Sequence, residues 1–236
     1  MKNPITAWKR AVWKPRIDWN DYYRHEGRHK PPYWTHGIVD KIEDNCSILD
    51  AGCGAGKLTR VLRATKSPKE LLGIELSMEG VTLCRQNAPS IRYRHRSLVY
   101  DPIPIPHTGS GRTRKCGGKW DYITCTHVLE HLVNPELALK NICSQAKTVI
   151  LAVPNSVFLK ERLLVMLGRT TDPGDHLHFW TMAGFRRFLE HYGYGDNIVY
   201  HSAIWFTNWT PWPALFGRDQ IVVLNMEKGK GNEKSD

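Results

Sequence analysis

The sequence predicts an α/β fold built on a doubly wound, mostly parallel sheet, and three observations carry that expectation. The apolar run Ile48-Leu49 closes on Asp50 and breaks into alternating glycines at Gly52, Gly54 and Gly56. Leu58, Val61 and Leu62 then recur at helical spacing, the pattern of a buried strand that turns sharply into a helix. Leu71-Leu72-Gly73-Ile74 reads as a second buried strand and ends in Glu75. Strand-like and helix-like segments then alternate to about Pro154, as in a parallel sheet covered on both faces.

The elements follow in order. Residues 1–45 form a basic, aromatic N-terminal extension that ends in a helix around 33–43. A single domain over 46–227 comes next, and the polar tail 228–236 is expected to be disordered. Segment 109–118, with Arg112, Arg114 and Lys115, interrupts the alternation as a flexible basic loop. Strands are predicted at 120–126 and 148–154, and a helix within 155–168 places Phe158, Leu159, Leu163 and Met166 on overlapping faces. A helix through Phe185, Phe188 and Leu189 precedes two last strands near 197–206 and 220–227. There is no internal repeat.

The glycine loop has a definite chemistry. Glycine lacks a Cβ, so the turn is tight and a ligand can lie against bare backbone. The helix behind it presents unpaired N–H groups, and a carboxylate at Glu75 can take both hydroxyls of a ribose. These features describe a nucleoside site. The spacing excludes two versions of it. A dinucleotide fingerprint counted from Gly52 and Gly54 would need glycine or alanine where Lys57 stands. A phosphate-binding Walker loop would need glycine at Ala51 and a hydroxyl residue at Leu58.

What remains, Asp50-x-Gly52-x-Gly54-x-Gly56, resembles motif I of the class I S-adenosylmethionine-dependent methyltransferases. Three further segments match in order. Trp120-Asp121 with the strand after it and Leu129-Glu130-His131 is similar to that family's fourth strand and following loop. Thr148 to Asn155 is similar to the fifth, ending in Pro154-Asn155, and Asp175-His176-Leu177-His178-Phe179-Trp180-Thr181 matches the segment before the sixth. The resemblance runs from about Trp34 to Glu227 and is closest to the small-molecule branch that includes ubiquinone-pathway enzymes.

The resemblance implies a Rossmann-like, seven-stranded sheet of order 3-2-1-4-5-7-6 with the last strand antiparallel, and S-adenosyl-L-methionine as cofactor. Backbone at Gly52, Cys53, Gly54 and Gly56 would pack on the methionine portion and ribose, with Asp50 orienting the loop. Glu75 would take the ribose hydroxyls, with Leu76 beside it. Thr126 and His127, just past strand 4, would lie at the methionine end. One departure stands out: Ser97 occupies the place of the acid that hydrogen-bonds the adenine amino group in many members, with Leu98 next to it to pack on the ring.

Methyl transfer from a sulfonium needs mainly in-line positioning, and a hydroxyl acceptor additionally needs a base. The candidate catalytic residues are His127, His131, His176 and His178. His127, Glu130 and His131 are spaced i, i+3, i+4, where related ubiquinone-pathway O-methyltransferases carry a metal-binding Glu-x-x-Glu-His motif. His127 replaces the first acid, and no metal is expected. The six cysteines form no Cys-x-x-Cys pair and read as reduced, mostly buried thiols, with Cys53 a small filler in the loop.

Composition bounds the partners. The net charge is +10, and residues 1–30 alone carry +5 interleaved with Trp8, Trp13, Trp19, Tyr22 and Tyr23. An aromatic cluster at 205–216 joins the last two strands. No apolar run reaches membrane-span length and the N-terminus lacks an apolar signal core, so a cytoplasmic protein is expected. The leading expectation is a methyltransferase for a small-molecule acceptor, apolar or lipid-linked, by O- or N-methylation, with peripheral membrane contact through the basic N-terminus. The alternatives are an RNA methyltransferase using that N-terminus, and a non-catalytic partner protein that keeps the fold.

Overall fold

The computed structural model describes residues 32, 34–108, 115–116, 118–168, 175–204 and 212–228. The basic N-terminal segment before residue 32, the tip of the 109–118 loop, most of the 205–216 cluster and nearly all of the C-terminal tail lie outside the described residues. The chain opens with α1 (Thr35–Val39), then β1 (Ser47–Ala51), α2 (Lys57–Lys66), β2 (Glu70–Glu75), α3 (Met78–Asn87) and β3 (Arg92–His95). A two-stranded ribbon, β4 (His107–Thr108) and β5 (Lys115–Cys116), precedes β6 (Trp120–Thr126), α4 (Pro135–Ser144) and β7 (Ala146–Pro154). There follow α5 (Leu159–Met166), α6 (Met182–His191), β8 (Ile198–Ile204), α7 (Pro213–Phe216) and β9 (Asp219–Asn225).

Seven strands form one sheet in the order β3-β2-β1-β6-β7-β9-β8. Counted within that sheet alone, this is the expected 3-2-1-4-5-7-6. The pairs from β3 through β7 are parallel, and β9 runs antiparallel to both β7 and β8.

Strand alternation divides the core between two faces. Leu49, Leu72, Ile123, Val149 and Leu151 point to one face, where Leu139, Ile142, Phe185 and Leu189 of α4 and α6 cover them. Ile48, Leu71 and Ile150 point to the other, beneath Ile38, Leu58, Leu62, Val81 and Cys84 of α1, α2 and α3. Each fully buried Leu or Ile contributes about 1.5–3 kcal/mol. Helices on both faces leave the strand ends as the free edges of the sheet.

Two expected elements differ in extent. The first helix is ordered α-helix only over Thr35–Val39, and the chain continues as turns in which Lys41 N–H bonds Ile38 O and Ile42 N–H bonds Val39 O. The expected basic loop is, at its base, the β4–β5 ribbon. The remaining strands and helices fall within a few residues of their predicted places.

Candidate cofactor and acceptor site

The site lies at the C-terminal edge of the parallel strands, where the strand order reverses between β1 and β6. After β1 the chain turns through Gly52, Gly54 and Gly56, all with positive φ. The N–H groups of Gly52 and Cys53 both donate to Ile74 O, at 2.8 and 2.9 Å, which clamps the loop onto β2. At Gly52 glycine is obligatory: φ is +74° and a Cβ would sit 2.3 Å from Val128 Cγ2. The bare backbone of Gly52 therefore packs directly against the Val128 side chain, which holds the turn against the loop after β6.

Glu75 ends β2 and is buried. Its Oε2 accepts from Gly54 N–H and its Oε1 from Ser77 N–H, both at 2.9 Å. Burial raises its pKa against the lowering effect of these N–H donors. Each oxygen keeps a further lone pair, so a fixed carboxylate faces the loop with the capacity to accept both hydroxyls of a ribose. A turn of three positive-φ glycines beside a carboxylate held by two N–H groups fits the nucleoside half of S-adenosylmethionine.

Asp50 sits one layer beneath. Its Oδ2 accepts from Thr59 Oγ1 at 2.5 Å and its Oδ1 from Thr124 Oγ1 at 2.9 Å, joining β1, α2 and β6. Burial pushes its pKa up to about 6 despite these hydroxyls. Asp50 thus ties the strand before the loop to the helix after it and to β6. Hydrogen bonding to Cys84, together with burial, pushes the Cys53 thiol well up, which keeps it protonated.

On the adenine side, Leu76 and Met78 are about half exposed after β2. Leu98 is buried in the core with Leu72 and Ile74. The Ser97 hydroxyl accepts from the N–H groups of Val99 and Tyr100, at 3.2 Å each, and so caps a turn. The same turn carries an acid, because Asp101 Oδ2 accepts from Ser97 N–H at 2.7 Å. Asp101 thus closes this turn with its carboxylate.

The methionine side is built from β6, β9 and α1. Thr126 ends β6, and His127 leaves it with φ +55° while its N–H bonds Ala152 O at 2.8 Å. The ring is held between two buried carboxylates: Nδ1 lies 3.4 Å from Glu130 Oε1 and Nε2 lies 3.6 Å from Asp219 Oδ1. Burial opposes a charged ring, but Glu130 and Asp219 outweigh it and raise the His127 pKa. Trp34 covers the ring, with centroids 5.0 Å apart. Trp34 and Asp219 were not among the predicted site residues. Asp219 opens β9, and nothing in the local sequence marks it as a site residue.

The other three histidines are not equivalent. The N–H groups of Leu177 and His178 both donate to Glu130 O, which docks the 175–181 segment on the loop after β6. His178 Nε2 bonds Leu132 O at 2.9 Å and its ring stacks on Trp180, so packing holds it. His131 and His176 lie with ring centroids 4.9 Å apart. Glu130 is fully buried and neither carboxylate oxygen has a hydrogen-bond partner among the described residues. One ligand atom from each of Glu130, His131 and His176 lies within 4.8 Å of the others. The donor set that converges is therefore this one, with His176 rather than His127 as its second imidazole. Two imidazoles and a carboxylate suit a transition ion such as zinc.

A methyltransferase-domain family model matches residues 23–196 of the chain. A ubiquinone biosynthesis O-methyltransferase of Glaesserella parasuis is 26% identical over 137 residues, 57% of this chain and 53% of that protein. The chain spans about half the length, or less, of the curated relatives it matches. Among solved structures, the complex of the Haloferax volcanii Trm112 methyltransferase activator with a methyltransferase superposes with a TM-score of 0.62 at 16% identity, covering 90% of this chain and 99% of that one. Magnesium protoporphyrin IX methyltransferase of Synechocystis, solved with bound S-adenosylhomocysteine, gives 0.56 at 16% identity, covering 94% of each chain. The glycine cradle, the strand order and the family match agree: the chain belongs to the methyltransferase-domain family, with the class I fold built around S-adenosylmethionine.

Proposed function

We propose that this protein transfers a methyl group from S-adenosylmethionine to a nucleophilic oxygen or nitrogen of a small, apolar or lipid-linked acceptor. The Glu75 carboxylate, fixed by Gly54 and Ser77 N–H groups beside the glycine loop, carries the cofactor part. Bound there, the cofactor supplies an electrophilic methyl sulfonium. His127 with Glu130 and Asp219 forms a trio of net charge −1 when the ring is protonated, which favours a cationic sulfur at the end of β6. His176, next to the exposed Leu177 and Phe179, takes the proton of a hydroxyl acceptor.

The apolar character of the acceptor rests on the rim around this site. Leu76 and Met78 follow β2, Val133 lies in the loop after β6, and Leu177 and Phe179 lie in the segment docked on that loop; all five are exposed. The helix α5 has no buried residue, and Leu163, Val165 and Met166 are exposed on it beside Lys160 and Arg162. Such a rim suits an acceptor presented at an anionic lipid surface, with peripheral contact only. No helix among the described residues is long and apolar enough to cross a membrane.

The test is transfer of labelled methyl to phenols bearing apolar tails, with and without anionic vesicles. Turnover should rise with tail length, and His176→Ala should lower it by about tenfold or more while S-adenosylhomocysteine affinity stays nearly unchanged. Label appearing in RNA and in none of the phenols would overturn the acceptor assignment.

A further inference from the structure

The opposite edge of the sheet carries a second concavity. Because β2 and β3 are parallel, their first residues share the edge remote from the glycine loop. A cavity of about 270 Å³ opens there, lined by Arg63, Lys69, Glu70, Ser90, Arg92 and His107. Arg63 comes from the last turn of α2 and Lys69 from the residue before β2. Arg92 opens the edge strand β3.

The lining is built rather than loose. The Glu70 side chain is 9% exposed, and both its oxygens are engaged: Oε1 accepts from Arg92 Nη2, and Oε2 from His107 N–H at 2.6 Å. Glu70 therefore neutralises Arg92 and fixes it against the cavity, leaving most of the guanidinium N–H groups unspent. Arg63 and Lys69 have no ion-pair partner among the described residues. Arg63, Lys69 and Arg92 against the one carboxylate of Glu70 give the cavity a net charge of +2 from these four residues.

We propose that this cavity binds a small phosphorylated ligand through a phosphate or diphosphate group, at a site separate from methyl transfer. Two unpaired cations, a pre-oriented arginine and the Ser90 hydroxyl are the donors that a dianionic phosphoryl group takes. The volume lies just under the range of about 300–1,000 Å³ for drug-sized ligands, which matches a phosphoryl head rather than a whole nucleotide.

The experiment is calorimetric titration of the full chain with pyrophosphate at low ionic strength. Wild type should bind saturably. Arg63→Glu/Lys69→Glu should weaken binding by about tenfold or more, and Arg63→Gln/Lys69→Gln by less, at unchanged melting temperature. Arg186→Ala, which removes a cation paired with Glu190 elsewhere, should bind as wild type does. Absence of saturable binding, or equal binding by both double variants, would overturn the proposal. So would a single-stranded oligonucleotide that binds without being displaced by pyrophosphate, since the face would then be a nucleic-acid surface.

Discussion

The cofactor side and the acceptor side of the site use different materials. On the cofactor side, main chain does most of the work: Gly52 and Cys53 N–H groups on Ile74 O, and Gly54 and Ser77 N–H groups on Glu75. On the acceptor side, side chains from distant segments converge. Trp34 of the α1 entrance, His127 and Glu130 after β6, His176 before α6 and Asp219 of β9 meet around one imidazole and one buried carboxylate. A main-chain cradle is rigid and serves one ligand. A side-chain cluster assembled from four segments can be rebuilt for many acceptors without disturbing the first site.

That difference sets the size of the expected effects. The largest follows from Gly52→Ala, which forces a side chain into a left-handed φ and into Val128. Strain and overpacking should together cost about 2–6 kcal/mol. S-adenosylhomocysteine binding should disappear in titration even where the circular-dichroism spectrum remains that of wild type. Next comes His127→Ala, which leaves Glu130 and Asp219 buried without their shared cation. Chemical denaturation should show a loss of about 3–5 kcal/mol. The conservative Asp219→Asn variant should mainly lower the His127 pKa, readable by NMR of the imidazole protons.

A smaller effect concerns pH. The folded pKa of Asp50, about 6, stands above its unfolded value near 3.8. The folded chain therefore binds the extra proton between those values, and this group's contribution to stability falls as pH rises through that window. Asp50→Asn removes the titration and keeps a hydrogen-bonding group for Thr59 and Thr124. Thermal melts should show the variant gaining on wild type from about pH 4 to about pH 6 and running parallel above it. A constant offset across the range would show that Asp50 is not the titrating group. The smallest expected change is for Trp34→Ala, where loss of the ring over His127 should weaken S-adenosylhomocysteine binding only several-fold, about 0.5–1.5 kcal/mol.

The same contrast explains what could be read in the chain. Gly52, Gly54, Gly56 and Glu75 are local signals, because a tight turn and a strand-ending acid write themselves into consecutive residues. The sheet order followed from the resemblance those residues carry, and the observed order agrees with it. Cofactor contacts at Ser97 were harder to place, since the turn there uses the serine hydroxyl as a cap and is closed by the Asp101 carboxylate. His176 and His178 looked alike in sequence, two residues apart, and only the fold separates the ring in the Glu130 cluster from the ring stacked on Trp180. Asp219 and Trp34 could not be assigned at all. Their roles exist only when β9 and α1 reach the end of β6, a juxtaposition that no local pattern encodes.

The central claim is that the Glu75 carboxylate and the glycine loop form a nucleoside cradle. Isothermal titration of S-adenosylhomocysteine into wild type and Glu75→Ala tests it most directly. Micromolar-order binding by wild type that Glu75→Ala weakens by about a hundredfold is the predicted result. A folded wild type that does not bind, or a Glu75→Ala variant that binds equally well, would contradict it.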